Sequence, residues 1–172
     1  DPLVARYQGW DAPYPPAEAA AFIAEMAGRQ PGRPGEWYQI ALQPRAGGPI
    51  VGDCAFHTLP AGRQAEIAFT LARAHWGRGL ATEAAGRLLS YLFGELHLHR
   101  ATAIVDVRNA PSIRVLERLG MRVYRHVLIK GYPHDVEHVV SDAGYGKNEY
   151  IETSRDNFLR SMDISVYSFT AV

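Results

Sequence analysis

Apolar and polar residues alternate from Gln64 to Leu71, the pattern of a half-buried β-strand. Gly77 and Gly79 follow the strand, and apolar residues then recur at helical spacing over residues 80–97. The pattern therefore predicts a strand, a glycine turn and a long helix in direct succession.

The rest of the chain adds strands before this unit and both element types after it. Strands alone come first, and strands alternate with helices later, so we expect a mixed sheet with helices on its faces, of the α/β (α+β mixed) class. The further predicted elements are a helix at 17–27, strands at 37–43, 50–59, 101–107, 123–129 and 136–140, and a helix that follows Asn109 and ends at Gly120.

Composition narrows the function classes. With 172 residues, of which 47% are apolar, and no apolar run near membrane-spanning length, the chain is expected to form one domain without a membrane span. The 18 basic and 18 acidic side chains cancel, so no nucleic-acid partner is expected.

Cys54 is the only cysteine, which excludes an intramolecular disulfide and fits a reducing compartment. No secretory signal opens the sequence, so the expected location is the cytoplasm. A small core side chain is the favoured interpretation of Cys54, ahead of a nucleophile.

The glycine turn sits where a phosphate group can bind. Amides at a helix start lack partners inside the helix and lie at the positive end of its dipole. The turn lacks the Gly-Lys-Ser/Thr ending of a nucleoside-triphosphate loop and is too short for the dinucleotide fingerprint. Metal-dependent phosphoryl transfer is therefore not expected.

Three segments of the sequence carry a family resemblance: Ala65-Glu-Ile-Ala-Phe, His75-Trp-Gly-Arg-Gly-Leu-Ala-Thr-Glu-Ala and Asn109-Ala-Pro-Ser-Ile-Arg-Val-Leu-Glu-Arg-Leu-Gly-Met. In this order and spacing they resemble the GNAT acetyltransferases, and among them the Rim-type branch that acetylates the N-termini of ribosomal proteins. One departure is Ala74, where the superfamily often has Gln or Arg. The resemblance implies the GNAT fold, with a mostly antiparallel sheet, and an acetyl-CoA-dependent N-acetyltransferase.

The resemblance also implies where acetyl-CoA is held. The open backbone of Phe69, Thr70 and Leu71 would hydrogen-bond the pantetheine arm, as would Asn109. A tight turn and a helix cap are the alternative interpretations of the glycines and of Asn109. The pyrophosphate would bind the amides around Trp76, Gly77, Arg78, Gly79, Leu80 and Ala81.

Two residues are candidates for proton transfer. Glu66 would accept the amine proton, directly or through water, and its alternative is a solvated strand residue. Ser112 would donate a proton to the departing thiolate, because the Tyr that many superfamily members use is Leu116 here. The alternative interpretation of Ser112 is a helix cap. No Ser-His-Asp or Cys-His arrangement is readable, so direct attack in a ternary complex is expected.

The acceptor is expected to be a primary amine, with a peptide or protein N-terminus preferred over a polyamine or an aminoglycoside. Trp10, Asp11 and Tyr132 are the candidate acceptor-binding residues, and core or homodimer contacts are the alternative for their aromatic neighbourhood. A CoA-binding module without turnover is the alternative from another class.

A zinc-peptidase pattern, H-x-x-E-H, spans His134 to His138. Gly131-Tyr-Pro133 before it and Val139-Val140 after it favour a turn running into a strand. On a strand the two imidazoles would stand roughly 13 Å apart, too far to share one metal ion, so no metal site is expected.

The last residues differ from the rest of the pattern. We expect a catalytic domain over 1–142, a linker over 143–150 and a separate segment over 151–172. The order Ile151-Glu-Thr-Ser-Arg…Leu159-Arg-Ser-Met…Phe169 resembles the opening of Rim-type chains, which suggests a circular permutation that supplies their first strand and helix. An unrelated tail on a truncated domain is the alternative.

Overall fold

The computed structural model describes residues 1–60, 62–129 and 136–144, which form one sheet with helices packed on it. The helices are α1 (Pro2–Ala5), α2 (Pro16–Ala27), α3 (Leu80–Gly94) and α4 (Ala110–Arg118), with a 3₁₀ turn at Arg73–His75. The strands are β1 (Trp37–Leu42), β2 (Gly52–Thr58), β3 (Gln64–Leu71), β4 (Arg100–Asp106), β5 (Arg122–Ile129) and β6 (Val136–Gly144).

The six strands lie in the order β1-β2-β3-β4-β6-β5. All neighbouring pairs are antiparallel except β3 and β4, which run parallel because α3 carries the chain back between them. This mixed, mostly antiparallel sheet with flanking helices confirms the fold class predicted from the sequence.

The core lies between the sheet and helices α3 and α4. Alternate residues of β2, β3 and β4 point into it, as the two-residue period of a strand requires. Burying each large aliphatic side chain contributes about 1.5–3 kcal/mol. The most buried core side chains include Phe56, Ala65, Ala85, Leu92, Ala101 and Leu116.

The far face is the side of β1–β4 that points away from α3. Because side chains alternate along a strand, it carries the residues between the buried positions. The N-terminal segment reaches this face, since the Gln8 side-chain amide donates a hydrogen bond to the Thr70 hydroxyl at 3.3 Å. The far face includes Trp37, Gln39, Asp53, His57, Glu66 and Thr70.

The structure differs from the prediction by more than two residues at three places. Residues 2–5 form a helical turn because the Asp1 carboxylate caps the Leu3 amide at 2.9 Å. Helix α3 ends at Gly94 because His97 takes a left-handed conformation, with φ 51°, and the Leu98 amide returns to the Leu92 carbonyl. Strand β6 extends to Gly144, into the first two residues of the predicted linker.

Candidate active site

A gap opens in the sheet between β3 and β4. The two strands pair over only three positions, Gln64 with Arg100, Ala65 with Ala101 and Glu66 with Thr102. Strand β2, by contrast, pairs with β3 all the way to Leu71. The carboxyl-terminal half of β3 therefore keeps one hydrogen-bonded edge and presents the other edge to the gap.

The residues whose backbone faces the gap follow from the strand period. The Ala65 carbonyl accepts a hydrogen bond from Thr102 of β4 at 3.4 Å, and the Leu71 carbonyl accepts one from the Trp76 indole at 2.8 Å. Residues at even spacing between them, Ile67 and Phe69, direct their own amides and carbonyls the same way. Thr70 instead pairs through its backbone with Asp53 of β2.

The strand geometry distinguishes among the three residues, Phe69, Thr70 and Leu71, that the sequence suggests for the pantetheine arm. Phe69 has the open backbone that a hydrogen-bonding ligand needs. Thr70 directs its backbone to β2, and the carbonyl of Leu71 already has the Trp76 indole as donor.

The glycine turn forms the end of this gap. Gly77 and Gly79 have φ values of 72° and 81°, which side chains rarely allow, so glycine is required at both positions. Gly79 is also the N-cap of α3 and offers no side chain to the first amides of the helix. The turn therefore leaves backbone donors available to an anion.

Helix α4 begins beside the other wall of the gap. Asn109 is its N-cap, and its side-chain oxygen accepts a hydrogen bond from the Ser112 amide at 3.3 Å. Asp106, at the end of β4, fixes the approach to this cap through a bidentate pair with Arg108 at 2.6–3.2 Å. Both helix N-termini thus lie at the carboxyl ends of the two parallel strands, where open sheets hold ligands.

Glu66 stands on the far face at the point where β3 and β4 separate. Desolvation raises the pKa of its carboxyl, and the charge of His57 partly offsets the rise. No hydrogen bond or ion pair links the Glu66 side chain to another described residue. A half-buried, unpaired carboxylate of raised pKa can accept a proton from a bound ligand.

Two further polar groups on the far face were not foreseen from the sequence. Burial raises the pKa of the Asp53 carboxyl to about 6, and the side-chain oxygen of Gln39 is buried without a hydrogen-bond partner in the described part of the chain. The only sequence signal was their alternation with the core residues of β1 and β2. Acceptor groups without donors suit a ligand that carries N–H groups.

Asp53→Asn should stabilise the protein at neutral pH. A shift of the Asp53 pKa from 3.8 in the unfolded chain to about 6 corresponds to roughly 3 kcal/mol. This stability is fully present below pH 3.8 and is lost as the pH rises through 6, so the native protein lacks it at pH 7.5.

Asparagine removes the ionisation and should recover about 1–2 kcal/mol at pH 7.5. Urea unfolding of both proteins should show this gain shrinking as the pH falls toward 4. A gain that is the same at both pH values would contradict the burial of an ionised Asp53.

The candidate acceptor residues are spread along the first loop and beyond. Trp10 is partly exposed and contacts Tyr14 edge to face, with ring centroids 6.0 Å apart, while Asp11 is exposed. Tyr132 lies outside the described residues. The structure thus puts Trp10 and Asp11 in the segment that follows Gln8, which contacts the far face through Thr70.

The structure also shows where Cys54 and the H-x-x-E-H pattern lie. Cys54 is buried on the core side of β2, and burial raises the pKa of its thiol, so it packs as an apolar side chain. His138 lies in strand β6, and His134 lies outside the described residues. Among the residues that are described, no group of three or more His, Cys, Asp or Glu is arranged to hold a metal ion.

The helices described here are all too short or too polar to cross a membrane.

Three features form one continuous region of the described structure. They are the N-termini of α3 and α4 at the gap, the open edge of β3, and the Glu66 carboxylate, which has no partner among the described residues. This region is the candidate active site.

Comparison with protein families identifies two matches in the chain. The acetyltransferase (GNAT) domain model matches residues 1–122, most of the chain. The N-terminal model of a domain of unknown function, DUF1846, matches residues 101–161 and overlaps the end of the first match.

Curated relatives are similar over a short segment. A UPF0371 protein of Clostridioides difficile is 63% identical over 43 residues, which cover 25% of this chain and 9% of that protein. The chain therefore spans less than a tenth of the length of the curated relatives it matches.

Solved structures share the fold. A GNAT-family acetyltransferase from Bacillus anthracis has a TM-score of 0.74 at 23% identity, covering 84% of this chain and 82% of that one. Spermidine N-acetyltransferase from Vibrio cholerae, in complex with CoA and spermine, has a TM-score of 0.68 at 18% identity, covering 84% of this chain and 83% of that one. A ribosomal-protein-serine acetyltransferase structure from Vibrio cholerae, described as putative, has a TM-score of 0.58 at 20% identity, covering 63% of this chain and 64% of that one.

Proposed function

Because the chain belongs to the GNAT acetyltransferase family, whose enzymes use acetyl-CoA, we propose that it transfers an acetyl group to the N-terminal amine of a peptide or protein. The observation that carries the proposal is the gap between β3 and β4, with an open strand edge on one wall and a glycine turn at its end. An extended thiol-bearing arm and a pyrophosphate fit these two features respectively.

The cofactor-holding residues follow from this fit. The amides from Gly77 to Ala81 bind the pyrophosphate, and Arg78 adds a positive charge beside it. Phe69 hydrogen-bonds the pantetheine arm as a substitute strand partner, and Asn109 contributes its side-chain amide from the opposite wall. Acetyl-CoA, when bound, supplies the acetyl group as a thioester.

The reaction needs a base and a proton donor. Glu66 accepts the proton of the ammonium, directly or through water, so that the neutral nitrogen can attack the thioester carbonyl. As the carbon–sulfur bond breaks, the Ser112 hydroxyl donates its proton to the leaving sulfur, which becomes the thiol, and takes up the proton that the nitrogen loses on forming the amide. Trp10 and Asp11 contribute to acceptor binding from the first loop, and Tyr132 from the segment before β6.

The preference for a peptide N-terminus is supported by the Rim-type motifs and by the ribosomal-protein-serine acetyltransferase among the structural neighbours. An α-amine at the end of an extended chain also suits the far face, where β3 separates from β4 beside Glu66.

A polyamine is the second candidate acceptor, and Asp53 is the observation in its favour. Asp53 and Glu66 lie on the same face, roughly 14 Å apart by strand geometry, and neither carboxyl pairs with another described residue. A linear polyamine would place one ammonium at Asp53 while another reacts at Glu66. The similarity in fold to the spermidine N-acetyltransferase of Vibrio cholerae supports this alternative.

An acceptor panel separates the two candidates. CoA release is measured with free and N-terminally blocked peptides, spermidine and an aminoglycoside, in the native protein and in Asp53→Asn. The proposal predicts turnover with the free peptide and none with the blocked one. Spermidine turnover that Asp53→Asn abolishes would favour the second candidate, and no CoA release with any amine would contradict acetyl transfer.

For residues 151–172 we propose two origins, since this segment lies outside the described residues. Its Rim-like order supports a permuted first strand and helix of a Rim-type domain, joined through a linker at 143–150. The DUF1846 match across residues 101–161 supports the alternative of an unrelated tail. Proteolysis that removes residues 151–172 should unfold the domain in the first case and leave its midpoint unchanged in the second.

Location and assembly also stay proposals. A cytoplasmic location is supported by the single buried cysteine, because a reduced thiol suits a reducing compartment. A homodimer is supported by the apolar side chains Phe22 and Ile23 on the outside of α2, which are 41% and 48% exposed.

A further inference from the structure

His57 lies directly opposite Glu66 across the β2–β3 pair. Both residues belong to the far face, and opposed side chains in an antiparallel pair have Cβ atoms about 4.5–5.5 Å apart. A positive charge on the imidazole would therefore act on the carboxylate at short range.

Trp37 fixes the His57 ring from the other side. The two rings stack with centroids 5.2 Å apart and an interplanar angle of 21°. The Trp37 backbone is itself held, because Arg29 donates a hydrogen bond to its carbonyl at 2.9 Å. A stacked ring on an anchored strand has few rotamers to choose from, so its position relative to Glu66 is defined.

The other charged groups near Glu66 are farther away or otherwise engaged. On β2, Asp53 lies four residues along, opposite Thr70. On β4, Thr102 is the uncharged partner of Glu66, and Arg100, two residues earlier, has an interaction partner of its own. On β6, Asp142 occupies the register position opposite Thr102, two strands from Glu66. In the described part of β1, Trp37 and Gln39 are uncharged.

From this arrangement we propose that His57, held by Trp37, is a positioning residue that keeps Glu66 ionised and ready to accept the amine proton. The proposal rests on the proposed function for its catalytic meaning. Its electrostatic part is independent of that function, since burial raises the pKa of the Glu66 carboxyl and His57 lowers it.

A carboxyl titration tests the electrostatic part. The pKa of Glu66 is followed by NMR of carboxyl-labelled protein in the native form and in His57→Gln, with Glu66→Gln used to assign the signal. Removing the imidazole should raise the Glu66 pKa, because the charge that offsets the effect of burial is lost. His57→Lys, which restores a positive charge, should bring the pKa back toward the native value.

The same variants test the catalytic part. The acidic limb of kcat/KM against pH should move up by the same amount in His57→Gln, while the plateau at high pH stays within about threefold. Trp37→Ala should move the limb in the same direction, and Trp37→Phe, which keeps a stacking ring, should leave it in place.

The outcomes separate this inference from the proposed function. An unchanged Glu66 titration in His57→Gln would overturn the inference, even if the protein acetylates amines. A shifted titration in a protein without acetyl-transfer activity would support the electrostatic coupling and contradict the proposed function. Loss of fold in His57→Gln would be visible in the same NMR spectra. The comparison of Trp37→Ala with Trp37→Phe then tests the inference, and the same acidic limb in both variants would overturn it.

Discussion

Glu66→Gln should lower kcat/KM for amine acetylation by about 10²–10⁴-fold, the usual contribution of a general base. The amide is nearly the same size as the carboxyl but cannot accept the proton of the attacking amine. Glu66 is half-buried and makes no hydrogen bond to another described residue, so the fold should tolerate the change. Initial rates of CoA release, measured with saturating acetyl-CoA, give the comparison.

A matched control and a pH profile make this prediction specific. Glu117→Gln makes the same chemical change on the exposed side of α4 and should keep the native rate within about twofold. In the native protein, activity should fall as the pH drops through the raised pKa of Glu66, because a protonated carboxyl is not a base. A Glu66→Gln protein with the rate of Glu117→Gln would remove Glu66 from the mechanism.

Gly52→Ala should destabilise the fold by about 2–4 kcal/mol. A Cβ at Gly52 would lie 2.2 Å from the Thr70 carbonyl oxygen and 3.0 Å from the Leu71 Cα. Both contacts are with backbone, so β2 and β3 must separate to make room. Because β3 forms one wall of the gap, acetyl-CoA affinity should fall together with stability.

Gly94→Ala is the control for this change. Gly94 is the last residue of α3, and a Cβ there meets no atom within 4 Å. Alanine should therefore be neutral or stabilise the protein by up to about 1 kcal/mol. Urea unfolding of both variants, with acetyl-CoA titrations on the folded fraction, measures the two effects. Equal midpoints for Gly52→Ala and Gly94→Ala would contradict the close approach of β2 and β3.

Local signals in the sequence were sufficient for most elements. Strand β3 has the predicted bounds, because the alternation from Gln64 to Leu71 ends at a turn with two glycines. Asn109 is the predicted cap of α4, because its side chain competes for amides of the first turn. A helix of four residues such as α1 is too short to show a period, and its cap is a single Asp1 side chain.

Cross-strand relations were beyond the reach of local patterns. The alternation of β2 puts Asp53 and His57 on one face, but only the register shows that His57 opposes Glu66. The early separation of β3 from β4 leaves no mark on either strand, since both have the alternation of paired strands. Gly77 and Gly79 follow from the local pattern of a strand, a turn and a helix, whereas Glu66 and Ser112 follow from a family resemblance, and the roles of all four stay predictions.

Thermal unfolding with acetyl-CoA tests most directly whether the gap and the glycine turn hold the co-substrate. At 100 times the dissociation constant, a ligand bound only by the folded state adds about 2.7 kcal/mol, which corresponds to a rise in midpoint of roughly 5–10 °C. Arg78→Glu, an exposed charge reversal beside the turn, should lose most of this rise. The exposed loop control Arg33→Glu should keep it, and zinc should add nothing. No rise with acetyl-CoA, or the same rise in Arg78→Glu as in Arg33→Glu, would contradict binding at this site.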